Sequence, residues 1–161
     1  MKTIALTKGY AAIVDDSDYE ILAQHKWRAD VKSHTVYAVR WAKSENGRKL
    51  ILMHRFLVGD AAIGMYVDHR DCNGLNNQRA NLRVCSSVEN SQNRRLSKTS
   101  TTGYKGVCAP SHLRGRKNKY KAKIQVNGKH YNLGYFMTAE LAHKAYCEAA
   151  KTLCGDFARL A

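Results

Sequence analysis

The chain of 161 residues lacks a long apolar run. No stretch approaches the ~20 consecutive apolar residues that a membrane-spanning helix requires. Near the first residue, the longest apolar stretch is Ile4-Ala5-Leu6, which is too short for the core of a signal peptide. We therefore expect a protein that neither spans a membrane nor is exported, and that works in the cytoplasm.

Cysteine is present, but without the spacing of a structural site. The chain has 5 cysteines, an odd number, and none forms a Cys-x-x-Cys pair. This pattern argues against a disulfide framework and against a four-cysteine zinc site. We expect the cysteines to be reduced and partly buried, in agreement with a cytoplasmic location.

Acidic residues are absent between Arg94 and Tyr131, a stretch rich in lysine and arginine. The whole chain has 27 Lys and Arg against 13 Asp and Glu, a formal net charge of +14, and most of that excess lies in this stretch. Such a field indicates a polyanionic partner, either nucleic acid or an anionic membrane surface. Its concentration in one stretch indicates a local binding surface rather than general solubility.

The first 50 residues have the pattern of a small β-rich unit. Large apolar residues from Tyr37 to Trp41 alternate with Ala38 and Arg40, which predicts a strand. Asn46-Gly47 predicts a hairpin turn because both residues tolerate positive φ, and the return strand follows at Lys49 to Met53. We expect both tryptophans of the chain in the core: Trp27 and Trp41.

The sequence pattern in the middle of the chain predicts a strand, a loop, a second strand and a helix, in that order. An apolar run ends at Asp68-His69, and a loop rich in Asn and Gly follows. Residues 81–85 predict a second short strand. Ser86 and Glu89 fit a capping box, so a helix should begin near Ser87. Two amides then lie on much the same helix face: Asn90 and Asn93.

This plan brings together the parts of a hydrolytic phosphodiesterase. Asp68 and Asn90 offer the oxygen ligands of a hard divalent cation, and His69 can take a proton from water near neutral pH. The spacing alone leaves a second interpretation open, a turn-rich loop in which Asn and Asp satisfy backbone groups. Adjacent strand residues also point to opposite faces, so Asp68 and His69 reach one site only where the strand ends or is distorted.

The same residues resemble the signature of the HNH nuclease family, in its variant with Asn in place of the final His. The matching motifs are Asp68-His69, Asn81 and Asn90. The surrounding pattern adds Leu52-Met53-His54-Arg55 upstream and Asn76-Asn77 in the loop. The resemblance covers about residues 50 to 95, and the pattern of motifs is similar to that of the phage-type members of the family. It implies the family's ββα-metal (His-Me finger) fold and hydrolysis of a phosphodiester bond that leaves a 5′ phosphate.

The resemblance also implies a role for each residue of the site. His69 is the expected general base, and Asn81 is expected to hold the catalytic loop in shape by hydrogen bonding. Asp68 and Asn90 are the expected ligands of one Mg²⁺ or Mn²⁺. An amide at Asn90 in place of an imidazole disfavours zinc. Two upstream residues, His54 and Arg55, are further candidates, for DNA contact or packing. Asn93, on the helix face of Asn90, is another possible site residue.

The C-terminal stretch predicts a three-stranded sheet packed on one helix. Lysines and amides alternate with apolar residues from Lys119 to Val126, and Asn127-Gly128 predicts a hairpin turn. Residues 104–109 supply a further strand. Thr138 can cap an Ala-rich helix, and Gly155 suits its end. A basic, exposed sheet face of this kind can enter the DNA major groove, whereas the alternative is a solvated lysine-rich face.

This stretch resembles the APETALA2/ethylene-response-factor DNA-binding domain. The matching residues include Tyr104-Lys105-Gly106-Val107, residues 120–124 and residues 133–140. Plant members carry Arg-x-Arg where Cys108, Ala109 and Pro110 stand here, so their target sequence is not transferred. The expected DNA-binding residues are Arg94, Arg95, Lys105, Arg114, Arg116, Lys119, Lys121, Lys123, Gln125, His130 and Asn132.

We therefore predict an α+β chain with four segments. These are a small β-rich segment (1–50), an HNH nuclease unit (51–95), a basic linker (96–103) and an APETALA2-type DNA-binding domain (104–161). The expected function is metal-dependent cleavage of double-stranded DNA by a monomer or a DNA-assembled dimer, with no membrane and no protein partner implied. The alternatives are a sequence-specific DNA-binding regulator with an inactive nuclease unit and, on charge alone, an RNA-binding accessory protein.

Overall fold

The computed structural model describes residues 1–45 and 47–160. The chain divides into two compact units, Met1–Ser87 and Val88–Ala161. Helices and small antiparallel sheets occur in both units, which confirms the predicted α+β class. In the part of the chain that the structure describes, every helix is too short or too polar to cross a membrane.

The first unit is built mainly from short strands. Its strands are β1 (Lys2–Ala5), β2 (Ala11–Val14), β3 (Arg28–Val31), β4 (Val36–Ser44), β5 (Gly47–Leu52), β6 (Tyr66–His69) and β7 (Leu82–Cys85). Its helices are α1 (Asp16–Ala23) and α2 (Met53–Val58), with 3-10 turns at Thr7–Gly9, Gly59–Ala62 and Arg79–Asn81. The strands pair as a β1–β2 hairpin, a three-stranded sheet in the order β3–β4–β5, and a β6–β7 ribbon.

One hydrophobic core joins these elements. It contains residues from both hairpin strands, α1, β4 and α2, with Trp27 between α1 and β3. The buried members are Ile4, Ala12, Val14, Leu22, Trp27, Ala38, Met53 and Leu57. Removal of this apolar surface from water is the main force that holds the small sheets of the unit together.

The strands expected near residues 37–53 are present, with two corrections. The return strand is β5, but it ends at Leu52, and Met53 instead begins α2, where it is fully buried in the core. Of the predicted Asn46-Gly47 turn, Asn46 lies outside the described residues; Gly47 pairs with Ser44 across the two strands. Trp27 is buried as expected, but Trp41 is 52% exposed, because it projects from the face of β4 opposite to Ala38 and the core.

The second unit contains a sheet covered by a long helix. Its elements are α3 (Ser87–Gln92, which begins at the end of the first unit), β8 (Val107–Cys108), β9 (Tyr120–Val126), β10 (Lys129–Phe136) and α4 (Ala139–Cys154). Two 3-10 turns are at Ser111–Leu113 and Gly155–Phe157. The antiparallel sheet has the order β10–β9–β8, and α4 packs on it through Ile124, Tyr146 and Ala150.

Local signals set the boundaries of this unit. Asn127 and Gly128 both have positive φ, 51° and 76°, as the predicted two-residue hairpin turn requires. The Thr138 hydroxyl accepts a hydrogen bond from the Leu141 amide at 3.2 Å and caps α4. The strand expected over 104–109 is only the two residues of β8. Two large apolar residues of α4 are exposed, Leu141 by 45% and Leu153 by 40%.

Candidate functional site

The β6–β7 ribbon carries the two residues expected to do the chemistry. Asp68 pairs with Arg83 and His69 with Leu82 in the antiparallel register. β6 ends at His69, whose carbonyl accepts a hydrogen bond from the Cys72 amide at 2.8 Å as the chain turns into a loop. The second strand begins one residue later than predicted, because Asn81 closes a 3-10 turn before it.

Asp68 forms a buried ion pair with Arg83. The guanidinium donates from Nε to Asp68 Oδ2 at 3.1 Å and also from Nη2 to the same oxygen. Both side chains are buried, so the pair compensates two charges that water does not reach. Arg83 was not among the predicted site residues, although its position directly opposite Asp68 follows from the strand register.

His69 lies in a buried cluster of rings. Its ring centroid is 4.9 Å from that of His54 and 6.0 Å from that of Tyr37. Burial lowers the pKa of His69, while the charges of Asp71 and Asp68 and the side chain of Asn77 oppose this shift. The imidazole is therefore neutral at neutral pH, the state in which it can accept a proton.

His54 is the second buried histidine of this cluster. Burial, with smaller contributions from His69 and Arg55, lowers its pKa to about 3, so the ring is neutral. Among the described residues, its Nδ1 atom has no hydrogen-bond partner. The neighbouring Arg55 donates to the carbonyl oxygens of Met65 at 3.1 Å and Ala62 at 2.8 Å, and these contacts favour packing over DNA contact for its side chain.

Asn81 joins the two ends of the loop that follows His69. Its Nδ2 donates to Asp71 Oδ1 at 3.0 Å and to the Asn76 carbonyl at 2.8 Å, and its Oδ1 accepts from the Asp71 amide at 3.1 Å. Although burial opposes ionisation of Asp71, hydrogen bonds from the Asn73 amide, Asn76 and Asn81 lower its pKa. The loop shape thus depends on an ionised carboxylate inside a set of amides.

The N-terminal hairpin and helix α1 fix the same loop from the other side. The Ile13 amide donates to the Leu75 carbonyl at 2.8 Å, and the Asn77 amide donates to the Ile13 carbonyl at 2.7 Å. The Arg79 guanidinium bonds both oxygens of Asp18 at 2.7 to 3.1 Å. The first residues of the chain therefore help to shape the candidate site, a role that sequence patterns did not reveal.

Gly74 lets the loop approach β4 closely. A Cβ atom at this position would lie 2.6 Å from the Val36 carbonyl oxygen and 2.7 Å from the Tyr37 ring. Asn77, which is fully buried, lies beside His69 in the same loop. No role was predicted for Asn77 from the sequence. The one sequence signal that could have pointed to it is its position in the Asn76-Asn77 pair of the HNH-like pattern.

The two candidate amides of the predicted helix belong to the second unit. α3 begins at Ser87 as predicted, which places the half-buried Asn90 in its fourth position, and the buried Asn93 follows its last residue. Asp68 lies in the first unit. Metal binding by Asp68 with Asn90 therefore stays a prediction.

The C-terminal sheet presents a polar face on the side away from α4. Lys121, Lys123 and Gln125 alternate with apolar residues of β9, and the register pairs Asn132 with Lys123 and His130 with Gln125. These five expected DNA-binding residues therefore share one face. Sequence reasoning missed Tyr135, which pairs with Lys121 on this face and lies 5.6 Å below the lysine amine.

The remaining expected DNA-binding residues have different environments. Lys105 donates a hydrogen bond from Nζ to the Gln92 carbonyl at 2.8 Å, which connects the end of α3 to the segment just before β8. The other side chains are exposed: Arg94, Arg95, Arg114, Arg116 and Lys119.

Two known proteins are similar to this chain. A protein of Acanthamoeba polyphaga mimivirus, named as an uncharacterized HNH endonuclease, is 31% identical over 156 residues, which are 94% of this chain and 74% of the relative. Protein 3.8 of Escherichia phage T7 is 31% identical over 96 residues, 60% of this chain and 75% of the relative. No protein-family model matches the chain. No solved structure is significantly similar to it.

Proposed function

We propose that this chain, which belongs to the HNH endonuclease family, cleaves DNA by metal-dependent hydrolysis of a phosphodiester bond. The observation that carries the proposal is the position of His69: a buried imidazole at the end of β6, directly after Asp68, with its pKa lowered by burial. A neutral imidazole next to an acidic residue fits a general base for a water nucleophile. The excess of positive charge supports DNA as the substrate.

In the proposed reaction, His69 removes a proton from water, and the resulting hydroxide attacks the phosphorus. The bond from phosphorus to the 3′ oxygen breaks, which leaves a 5′ phosphate and a 3′ alkoxide. The alkoxide takes a proton from solvent water to become the 3′ hydroxyl, and His69 returns its proton to solvent. Asn81 has a positioning role in this reaction, because its three hydrogen bonds hold the loop that begins at His69. His54 and Tyr37 pack against His69 and restrict the orientation of its ring.

The family implies a divalent cation, for which we propose oxygens of Asp68 and Asn90 as protein ligands. Among the described residues, no group of three or more His, Cys, Asp or Glu side chains could hold a metal ion. The carboxylate of Asp68 and the amide oxygen of Asn90 are hard ligands, and Mg²⁺ or Mn²⁺ takes few protein ligands when water and phosphate oxygens complete its shell. When bound, the ion supplies positive charge that stabilises the phosphorane and the leaving 3′ oxygen. Arg83, by its buried ion pair with Asp68, fixes the orientation of that carboxylate.

We further propose that the second unit is an APETALA2-type module that positions the chain on double-stranded DNA. Its support is the polar sheet face that carries Lys121, Lys123 and Gln125 beside His130 and Asn132. Phosphate contacts by such residues fix register, and amide contacts to base edges supply specificity. The protein would then act in the cytoplasm or nucleoid of a host cell, as a monomer or as a dimer assembled on DNA.

A DNA-binding regulator with an inactive nuclease unit is the second candidate, because the sheet face is independent of His69. The two functions separate when cleavage and binding are followed on the same DNA. A nuclease loses cleavage on addition of EDTA and in His69→Ala, yet both samples retain DNA binding. A regulator binds DNA under all these conditions and cleaves it under none.

A further inference from the structure

The three-stranded sheet of the first unit has a basic and aromatic stripe on one face. Trp41 is 52% exposed, and the Arg28 guanidinium lies 5.9 Å from the centroid of its ring. The register pairs Trp41 with Leu50 and Lys43 with Arg48, so these side chains project from the same face as Arg28. We define the Trp41 face by these five residues.

The Trp41 face lies on the same side of the sheet as the candidate site. Tyr37 shares the face of β4 with Trp41, because four residues separate them along an alternating strand. The Tyr37 ring lies 6.0 Å from His69 and is covered by the loop at Gly74. Val39, between the two aromatic residues, is fully buried. The candidate site therefore occupies one end of this face, and the Trp41 end is open.

The open end of the face is positively charged. Lys43 and Arg48 are both exposed, whereas the acidic Asp30 lies at the Tyr37 end and is paired with Lys32 at 3.0 Å. Glu45 lies in the connecting turn beyond the paired strand residues. Exposed basic side chains around an aromatic ring are typical of surfaces that bind nucleic acid.

The dimensions of the face also suit DNA. From Tyr37 to Lys43, β4 advances by six residue steps, about 20 Å at roughly 3.3 Å per step. Base pairs of B-DNA are spaced about 3.4 Å along the axis, so this length corresponds to about six base pairs beside the cleaved bond. A duplex that follows β4 from the site would therefore place its backbone on the basic residues.

We propose that the Trp41 face binds the DNA sugar–phosphate backbone on one side of the cleaved phosphodiester. Lys43 and Arg48 neutralise phosphates, and Trp41 orients the Arg28 guanidinium by a cation–π contact and packs against a deoxyribose. This inference rests on the proposed function, since it takes His69 as the point where the DNA is cut. It gives the first 50 residues a direct part in substrate binding.

The test compares two double variants of the full chain. Lys43→Ala/Arg48→Ala removes two charges from the Trp41 face, and Lys26→Ala/Lys49→Ala removes two exposed charges elsewhere. Lys49 is the closely matched control, because it follows Arg48 on β5 and its side chain projects from the face of the sheet opposite to the Trp41 face. Binding to a random-sequence duplex is measured in EDTA over a range of salt concentrations, so that DNA is not consumed.

The expected result is a change in the salt dependence of binding. Loss of two phosphate contacts makes the slope of log K against log salt less steep by about 1.8 and weakens binding roughly 50-fold at about 0.1 M salt. The control pair should keep the wild-type slope. Equal slopes for both double variants would overturn the inference, even if the wild type cleaves DNA normally.

Tryptophan fluorescence provides a second, local measurement. Trp27 is buried at 5% exposure, so acrylamide quenching of the free protein reports mainly on Trp41. Bound duplex DNA should protect this ring, and the protection should be absent in Trp41→Phe. Unchanged quenching on DNA binding would contradict the inference. Neither measurement needs cleavage. If DNA protects Trp41 in a protein that does not cut DNA, the Trp41 face is still a DNA-binding surface and the proposed nuclease function is rejected.

Discussion

The imidazole of His54 meets that of His69 edge-on, with ring centroids 4.9 Å apart and an interplanar angle of 81°. Both rings are buried, and burial is the main reason that the pKa of each lies below its ordinary value. Two charged imidazoles at this distance would repel each other. Burial and this repulsion therefore favour neutral rings, the protonation state that His69 needs as a base.

Protonation of His54 should destabilise the fold as the pH falls. Its pKa is about 3 in the folded chain against an ordinary 6.5, so between these values the unfolded state binds a proton that the folded state does not. The free energy of unfolding should therefore drop below pH 6.5, by about 2 kcal/mol between pH 7 and pH 5. Urea unfolding of wild type and His54→Gln at both pH values measures this. Parallel pH profiles for the two proteins would contradict the prediction.

Asn81 should matter through both its donor and its acceptor groups. Asn81→Ala removes three hydrogen bonds of about 1 kcal/mol each, and should lower both the free energy of unfolding and the cleavage rate. Asn81→Asp should be worse than Ala, since it places a second carboxylate against Asp71. Urea unfolding and plasmid cleavage measure these effects, with the exposed Asn118→Asp as the control. An Asp variant as active as wild type would show that the amide donor is dispensable.

Gly74→Ala should distort the loop without removing any hydrogen-bonding group. The added Cβ would lie 2.6 Å from a backbone oxygen of Val36, an atom that cannot rotate away. Overpacking of this kind costs about 1–3 kcal/mol. Thermal unfolding should show a lower midpoint, and shortening the adjacent ring by Tyr37→Leu should not restore it. A Gly74→Ala protein with wild-type stability and cleavage would mean that the loop moves freely.

Lys123 should contribute one phosphate contact from the C-terminal sheet. Lys123→Ala is expected to make the salt dependence of DNA binding less steep by about 0.9. Lys144→Ala is the matched control, because it removes an exposed lysine from α4, on the other side of the sheet. Equal effects of the two substitutions would indicate that only total charge matters, and would count against the sheet face as the binding surface.

Elements with strong local signals were predictable from the sequence. The periodicity that predicts the strands β4 and β9, the Asn127-Gly128 turn and the Thr138 cap each depend on neighbouring residues. The structure contains both strands, the turn and the cap. The start of α3 at Ser87 follows from the same kind of signal. The helices α1 and α2 were missed, because their short sequences carry no repeated apolar spacing and are fixed by packing in the core.

Only the site residues that belong to a recognisable sequence motif were predictable. Asp68, His69 and Asn81 stand in a recognisable order, but their partners come from distant parts of the chain. Tyr37 and Arg83 contact the site through the pairing of strands, which no local pattern specifies. The exposure of Trp41 has the same origin, because the strand register, rather than the character of the residue, decides which face of a sheet is buried.

Cleavage of supercoiled plasmid DNA in Mg²⁺ or Mn²⁺ tests the central claim most directly. Wild type is compared with His69→Ala and with His34→Ala, which changes an exposed histidine of the same unit. We expect relaxed or linear product from wild type and His34→Ala, and none from His69→Ala or from wild type in EDTA. Cleavage that survives in His69→Ala, or tight DNA binding by a wild type that never cleaves, would contradict the account.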